Sequence, residues 1–278
     1  MAGKGKGLWN VIFWAALIVC VCALGVLGFI FYSYWSADKG YEDLAAAAHS
    51  ADSTTDLADM TVDWDYLRSI NSDIVAWVYM PGTNIDYPVV QTDNNDTYLT
   101  MDFNQSEGFS ARCGTIFLDC DNAGDLSDTN SIMYGHHMND GSMFACISKQ
   151  LSDNEEFNAN RIVYVFTPER NYQCQTFALL ITDAYDEILQ ANFADAQERE
   201  DYVLDKENRS QCVPSEGMPD PASVEKMFTF STCDYTKNNG RAVLFAQVIN
   251  EAVPGGSDVG VNVGEDSINT VQDVSNKV

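Results

Sequence analysis

A chain of 278 residues with 41 acidic against 15 basic residues carries a formal charge of −26, and no basic cluster beyond its first residues could track a phosphate backbone. Nucleic acid is excluded as a partner on that ground, and the acidity reads as surface solubility, not chemistry. There are eight cysteines, but no Cys-x-x-Cys pair or His/Cys cluster at zinc spacing occurs, which argues against a structural metal.

In chain order, the first element is an apolar run from Leu8 to Tyr34, free of charge between Val11 and Tyr32. About 22 residues rising roughly 1.5 Å each span about 33 Å, close to the hydrocarbon thickness of a bilayer. Lys4 and Lys6 precede the run and favour a cytoplasmic amino terminus. A cleaved signal peptide is the alternative, but the run exceeds a usual apolar core and no convincing small-x-small site follows. The expected layout is a cytoplasmic tail over 1–7, a single-pass cell-membrane anchor over 8–35 and an extracellular remainder. Cys20 and Cys22 are then apolar filler within the span.

Residues 36–60, rich in alanine, aspartate, serine and threonine, read as a stalk, partly helical around Tyr41 to His49. A folded domain is expected over 61–250, where short apolar, β-branched or aromatic runs are bounded by Gly, Pro, Asn and Asp. Eight such runs occur: 74–79, 85–90, 114–119, 131–136, 161–166, 175–185, 226–232 and 241–249. Consecutive apolar positions within them suit a closed sheet covered on its outer face, so the fold class is mostly β, a β-barrel. Helical patterning is confined to Trp64–Ile70, Ser142–Lys149 and Asp195–Lys206. The last lies in a connection of about 40 residues between the sixth and seventh strands, long enough to suggest a wall of a binding groove. A helix that merely covers one end of the barrel is the alternative. Residues 251–278 lack packing side chains and read as a disordered tail.

The chemistry concentrates in FSTCDYTKNNGRAVLF, residues 230–245, where Asn238, Asn239 and Gly240 favour a hairpin turn. Facing residues of an antiparallel pair share one index sum, and a turn centred on Lys237 sets Cys233 opposite Arg241. Their Cβ atoms would lie about 4.5–5.5 Å apart. A thiol nucleophile needs a proton-transfer partner, and the domain offers only His136 and His137, in SIMYGHHMNDGSMF. Neighbours on a strand alternate faces, so one of the two is expected in a cleft and the other turned away. Singly, a structural cysteine and exposed strand-end histidines explain these residues. Together, thiol, imidazole and guanidinium supply the nucleophile, acid–base group and oxyanion stabiliser that acyl transfer through a thioester requires.

These motifs, YGHHMNDGSMF, FSTCDY and RAVLFAQV, resemble the class B sortases, membrane-anchored cysteine transpeptidases of Gram-positive bacteria. The likeness extends upstream through NSDIVAWVYMPGTNIDYPVVQ, DTYLTMDF and GTIFLD, and covers about residues 64–249. It implies an eight-stranded sortase-type β-barrel with short amino-terminal helices and a helix between strands six and seven. It also implies that Cys233 is the nucleophile, His136 the histidine of the Tyr-Gly-His motif and Arg241 the arginine opening the last strand, with no catalytic role for His137. The implied partners are secreted proteins carrying a carboxyl-terminal sorting motif and a peptidoglycan amine. No cofactor and no resident metal are implied, although some relatives use calcium, which the acidic loop 119–128 could bind if it is not simply solvated. Alternatives are a pilin-polymerising sortase with a lysine acceptor, a cysteine protease that passes the acyl group to water, and an inactive barrel-type surface adhesin. Cys113, Cys120, Cys146, Cys174 and Cys212 are extra to the family pattern, and a Cys113–Cys120 bridge is conceivable.

Overall fold

Val, Ile, Phe, Tyr and Thr suit a pleated, half-buried surface. Eight runs rich in them form the barrel of the computed structural model, which describes residues 5–50, 56–108, 111–183, 185–186, 188–234, 239–256 and 258–259. The strands are β1 (Ile74–Tyr79), β2 (Asp86–Val90), β3 (Ile116–Leu118), β4 (Asn130–Tyr134), β5 (Ile162–Phe166), β6 (Asn171–Asp183), β7 (Met227–Asp234) and β8 (Gly240–Ala252). Around the barrel they run β8-β6-β5-β1-β2-β3-β4-β7, and β7 returns to β8 to close the sheet. β2–β3 and β4–β7 are parallel and the other pairs antiparallel. Closure pairs both edges of every strand and leaves no long edge to template aggregation.

Alternation explains why the last strands looked apolar throughout. In β8, Ala242, Leu244 and Ala246 join the main core, whereas Val243 and Phe245 belong to a second cluster on the outer face. That second cluster is covered by helix α5 (Ala196–Arg209) of the β6–β7 connection, through Tyr202 and Val203 against Phe177, Val243 and Phe245. Its packing shows that this helix covers the outer face of β6 and β8. Asp195 caps α5 by accepting from the Glu198 N–H at 2.9 Å, and Lys206 and Arg209 complement its last turn.

The remaining helices are α1 (Gly5–Ala48), α2 (Trp64–Ile70), α3 (Ala145–Lys149) and α4 (Asn154–Ala159). α1 is one unbroken helix, long and apolar enough to cross a membrane, with a window of mean hydropathy 2.7, and its large apolar side chains, such as Trp9, Phe13 and Phe31, are exposed. Its far end bears Tyr41, Ala45 and Ala48 on one buried face. The segment expected as a stalk therefore lies against the domain there, as do Leu57, Ala58 and Met60 further on. Residues 51–55 of that segment, 235–238 of the expected turn and 260–278 of the expected tail lie outside the described residues. α3 starts three residues later than expected, because Met143 takes a left-handed φ of 56° and bridges to His137.

Tyr41 fastens α1 to the domain. Its hydroxyl donates to Gly114 O at 2.7 Å and accepts from the Phe103 N–H at 3.3 Å, all buried. Tyr41→Phe would strand both backbone groups and should cost about 1–3 kcal/mol, read as a lower denaturation midpoint of the chain from residue 36. An unchanged midpoint would show that α1 does not hold the domain there.

On α5, burial and then the neighbouring Asp220 push the Glu207 carboxyl up to about 7, and its Oε1 meets no hydrogen-bond donor among the described residues. A folded-state value above the ordinary 4.5 means that the ionised form destabilises above pH 7, and that this effect fades as pH falls toward 4.5. Glu207→Gln is accordingly expected to raise the melting temperature at pH 8, with the difference shrinking toward pH 5. Identical melting curves at pH 8 would contradict it.

Candidate active site

Three neighbouring strands bring the sequence-selected residues to one end of the barrel. Arg241 of β8 pairs directly with Cys233 of β7, the register expected from the hairpin arithmetic. Both are half-buried and occupy outer-face positions, in alternation with the interior Phe228 and Phe230 and with Ala242 and Leu244. On the other side, β4 runs parallel to β7 with Tyr134 beside Ser231, and Gly135 N–H extends the ladder to Ser231 O at 3.1 Å. β4 ends at Tyr134; His136 follows two residues beyond it, as Cys233 follows two residues beyond Ser231 on β7.

His136 is fixed from the opposite side. Its Nε2 lies 2.6 Å from Leu99 O, and since a carbonyl oxygen only accepts, Nε2 carries the hydrogen. Leu99 ends a 3-10 turn (Thr97–Leu99), and the neighbouring Tyr98 O accepts from the Thr115 N–H at 3.0 Å. Gly114, at φ +61°, closes this corner: a Cβ there would sit 2.5 Å from Tyr98 O and 3.2 Å from His136 Cδ2. Gly135, of the Tyr-Gly-His motif, is equally constrained, because a Cβ would fall 2.4 Å from Ile116 Cδ1 and 2.7 Å from Phe144 Cδ2. After His136 the chain folds back, with Phe144 N–H donating to His136 O at 3.0 Å and Lys149 Nζ donating to Met138 O and Asn139 O, both at 3.0 Å.

His137, set aside by sequence reasoning, is buried, and its Nδ1 lies 2.8 Å from Cys233 O and 2.9 Å from Ser148 Oγ. Leu99, Gly114 and Ser148 were likewise not selected. Only the doubled histidine hinted at His137, and its partner lies 96 residues away.

All eight cysteines are free. Burial pushes the thiols of Cys113 and Cys146 up to about 12 and those of Cys174 and Cys212 upward, which makes them poor nucleophiles at neutral pH. In the acidic loop, Asp119, Cys120 and Asp121 bring potential metal-ligand atoms within 4.8 Å of one another. Asp119 already accepts from the Tyr134 hydroxyl at 2.7 Å and Asp128 from Asn122 Nδ2 at 2.7 Å, so these carboxylates serve the loop itself.

No protein-family model matches the chain. The sortase B of Listeria monocytogenes is 30% identical over 239 residues, which cover 81% of this chain and 94% of that relative. The chain belongs to the sortase B family. The sortase B of Staphylococcus aureus is also 30% identical, over 67% of this chain and 74% of its own length. Among solved structures, Clostridium perfringens sortase B matches with a TM-score of 0.61 at 32% identity, over 66% of this chain and 98% of that one. A Bacillus anthracis protein similar to sortase B matches at 0.65 and 27% identity, over 77% and 96%. A Staphylococcus aureus sortase B–substrate complex matches at 0.60 and 28% identity, over 67% and 84%. As a member of this family the chain is a sortase-type cysteine transpeptidase, which sets aside the adhesin alternative.

If the corner around Gly114 holds His136 for this sortase, Gly114→Ala should destabilise the fold by about 1–2 kcal/mol through its left-handed backbone. It should also slow peptide turnover about tenfold or more, as Tyr98 and Leu99 are displaced. A destabilised variant with wild-type kcat would separate the corner from the histidine.

Proposed function

We propose that this sortase cleaves a carboxyl-terminal sorting motif of secreted proteins after threonine and joins the new carboxyl end to a peptidoglycan amine. The observation that supports the reading is the strand register, which pairs Arg241 with Cys233 and runs β4 parallel to β7 up to Tyr134 and Ser231, two residues short of His136 and Cys233. The thiol proton passes to His136 Nδ1 and Cys233 Sγ bonds to the threonine carbonyl carbon. The oxyanion that develops is met by the Arg241 guanidinium. The C–N bond then breaks as His136 returns the proton to the leaving amine, leaving a thioester. An incoming amine attacks that thioester, forms an amide and releases the thiol. The motif is of the Asn-Pro-x-Thr type by family likeness.

The apolar part of α1 serves in this reading as a membrane anchor, with Lys4 and Lys6 on the cytoplasmic side and the barrel outside. Secreted proteins with a sorting motif, the amine acceptor and the plasma membrane are then the partners.

The test uses the chain from residue 36 with Asn-Pro-x-Thr peptides, with and without an amine acceptor. Cys233→Ala should abolish cleavage and amide formation. His136→Ala should lower kcat/KM about 10²–10⁴-fold and Arg241→Ala about 10²–10³-fold. Turnover surviving Cys233→Ala, or a hydrolysis product undiminished by saturating amine, would overturn the reading.

A further inference from the structure

The nucleophile stands at a structurally awkward place. Cys233 is the next-to-last residue of β7, and the β4–β7 ladder on one side of it pairs only as far as Tyr134 and Ser231. One further backbone bond, from Gly135 N–H to Ser231 O, ends that ladder at 3.1 Å. In a parallel ladder the next acceptor on β7 is the carbonyl of Cys233, and the next donor on β4 belongs to residue 137. There the chain is already turning back, since His136 O is taken by Phe144 N–H and His137 bridges to Met143.

The side chain of that same residue reaches the carbonyl. His137 Nδ1 is 2.8 Å from Cys233 O, and a carbonyl only accepts, so Nδ1 carries hydrogen. Ser148 Oγ, on α3, lies 2.9 Å from the same nitrogen, so the single Nδ1–H is shared between the two acceptors. His137 is buried, with 7% of the residue exposed, so water competes weakly for the bond. Fixing the Cys233 carbonyl fixes the peptide plane that follows the nucleophile, and with it the direction of the Cα–Cβ bond that carries the sulfur.

We infer that His137 is a positioning residue for the nucleophile: its Nδ1–H, held between Cys233 O and Ser148 Oγ, extends the β4–β7 ladder by one side-chain rung and aims the Cys233 thiol. The inference rests on the proposed role of Cys233. His137 itself exchanges no proton with the substrate. Its effect falls on kcat, because a misaimed nucleophile still leaves the peptide groove able to bind.

The test compares three substitutions in the chain from residue 36. Asparagine places an N–H donor the same number of bonds from Cα as Nδ1, glutamine places it one bond further out, and phenylalanine fills the space without a donor. His137→Phe should lower kcat about tenfold to a hundredfold with KM within about threefold. His137→Asn should restore kcat to within about threefold of wild type, and His137→Gln should stay slow while melting at the same temperature as the Asn variant. The rate of Cys233 alkylation by iodoacetamide, with Cys233→Ala as background, should follow the same order. Wild-type kcat in His137→Phe would overturn the inference. If the Phe variant does not fold, equal kcat in the Asn and Gln variants overturns it instead. If Cys233→Ala retains turnover, it is the nucleophile assignment that fails. An inert Cys233→Ala alongside an unaffected His137→Phe leaves that assignment standing and removes only the role of His137.

Discussion

The register of β7 between β4 and β8 is the constraint on which both the barrel and its site depend. Phe228 and Phe230 point into the main core, and Met227 lies in the cluster beneath α5. Side chains alternate with a period of two, so a slip of one residue would turn both phenylalanines out and carry Cys233 inward. Each fully buried phenylalanine stabilises by about 1.5–3 kcal/mol relative to an exposed one, so such a slip is heavily disfavoured. The core thus sets the direction of the thiol, and the neighbours of β7 flank it: β8 by an antiparallel pairing that includes Arg241, and β4, which ends two residues before His136, by a parallel one. The two partners come from connections of very different length, a short hairpin and nearly a hundred residues of intervening chain.

That difference explains what could be read from the sequence. The Cys233–Arg241 pairing followed from the position of one turn, because hairpin strands have one index sum and a turn centred on Lys237, favoured by the Asn238, Asn239 and Gly240 that follow, fixes it. The eight strands were legible from their β-branched and aromatic runs, though not their ends. β6 begins at Asn171, four residues before the apolar stretch, because the backbone of residues 171–174 pairs with β5 and with the last part of β8 whatever its side chains. Conversely, β3 shrinks to Ile116–Leu118 because Gly114 is left-handed and Thr115 N–H is engaged by Tyr98 O. The adjacency of β4 and β7, and with it the contact of His137 with Cys233 O, carries no local signature. It follows from closure of the whole sheet.

The two neighbouring histidines are held through different ring nitrogens. For His136, a backbone carbonyl engages Nε2; for His137, a backbone carbonyl engages Nδ1. Both bonds use the acceptor-only character of a carbonyl to select a tautomer. The same geometry explains the two glycines beside the pair. Gly114 lets the Tyr98–Leu99 backbone approach the first ring, and Gly135 lets Phe144 pack under the strand from which both rings project.

The continuity of α1 bears on where the barrel works. Forty-four residues without a break, at about 1.5 Å each, make a rod of roughly 66 Å, and Tyr41 bolts its far end to the corner that also borders His136. A rod differs from a rope. With its apolar part held in a bilayer, as proposed, the barrel would ride at one height and one azimuth instead of sweeping a hemisphere, so partners would have to arrive at a fixed altitude above the lipid.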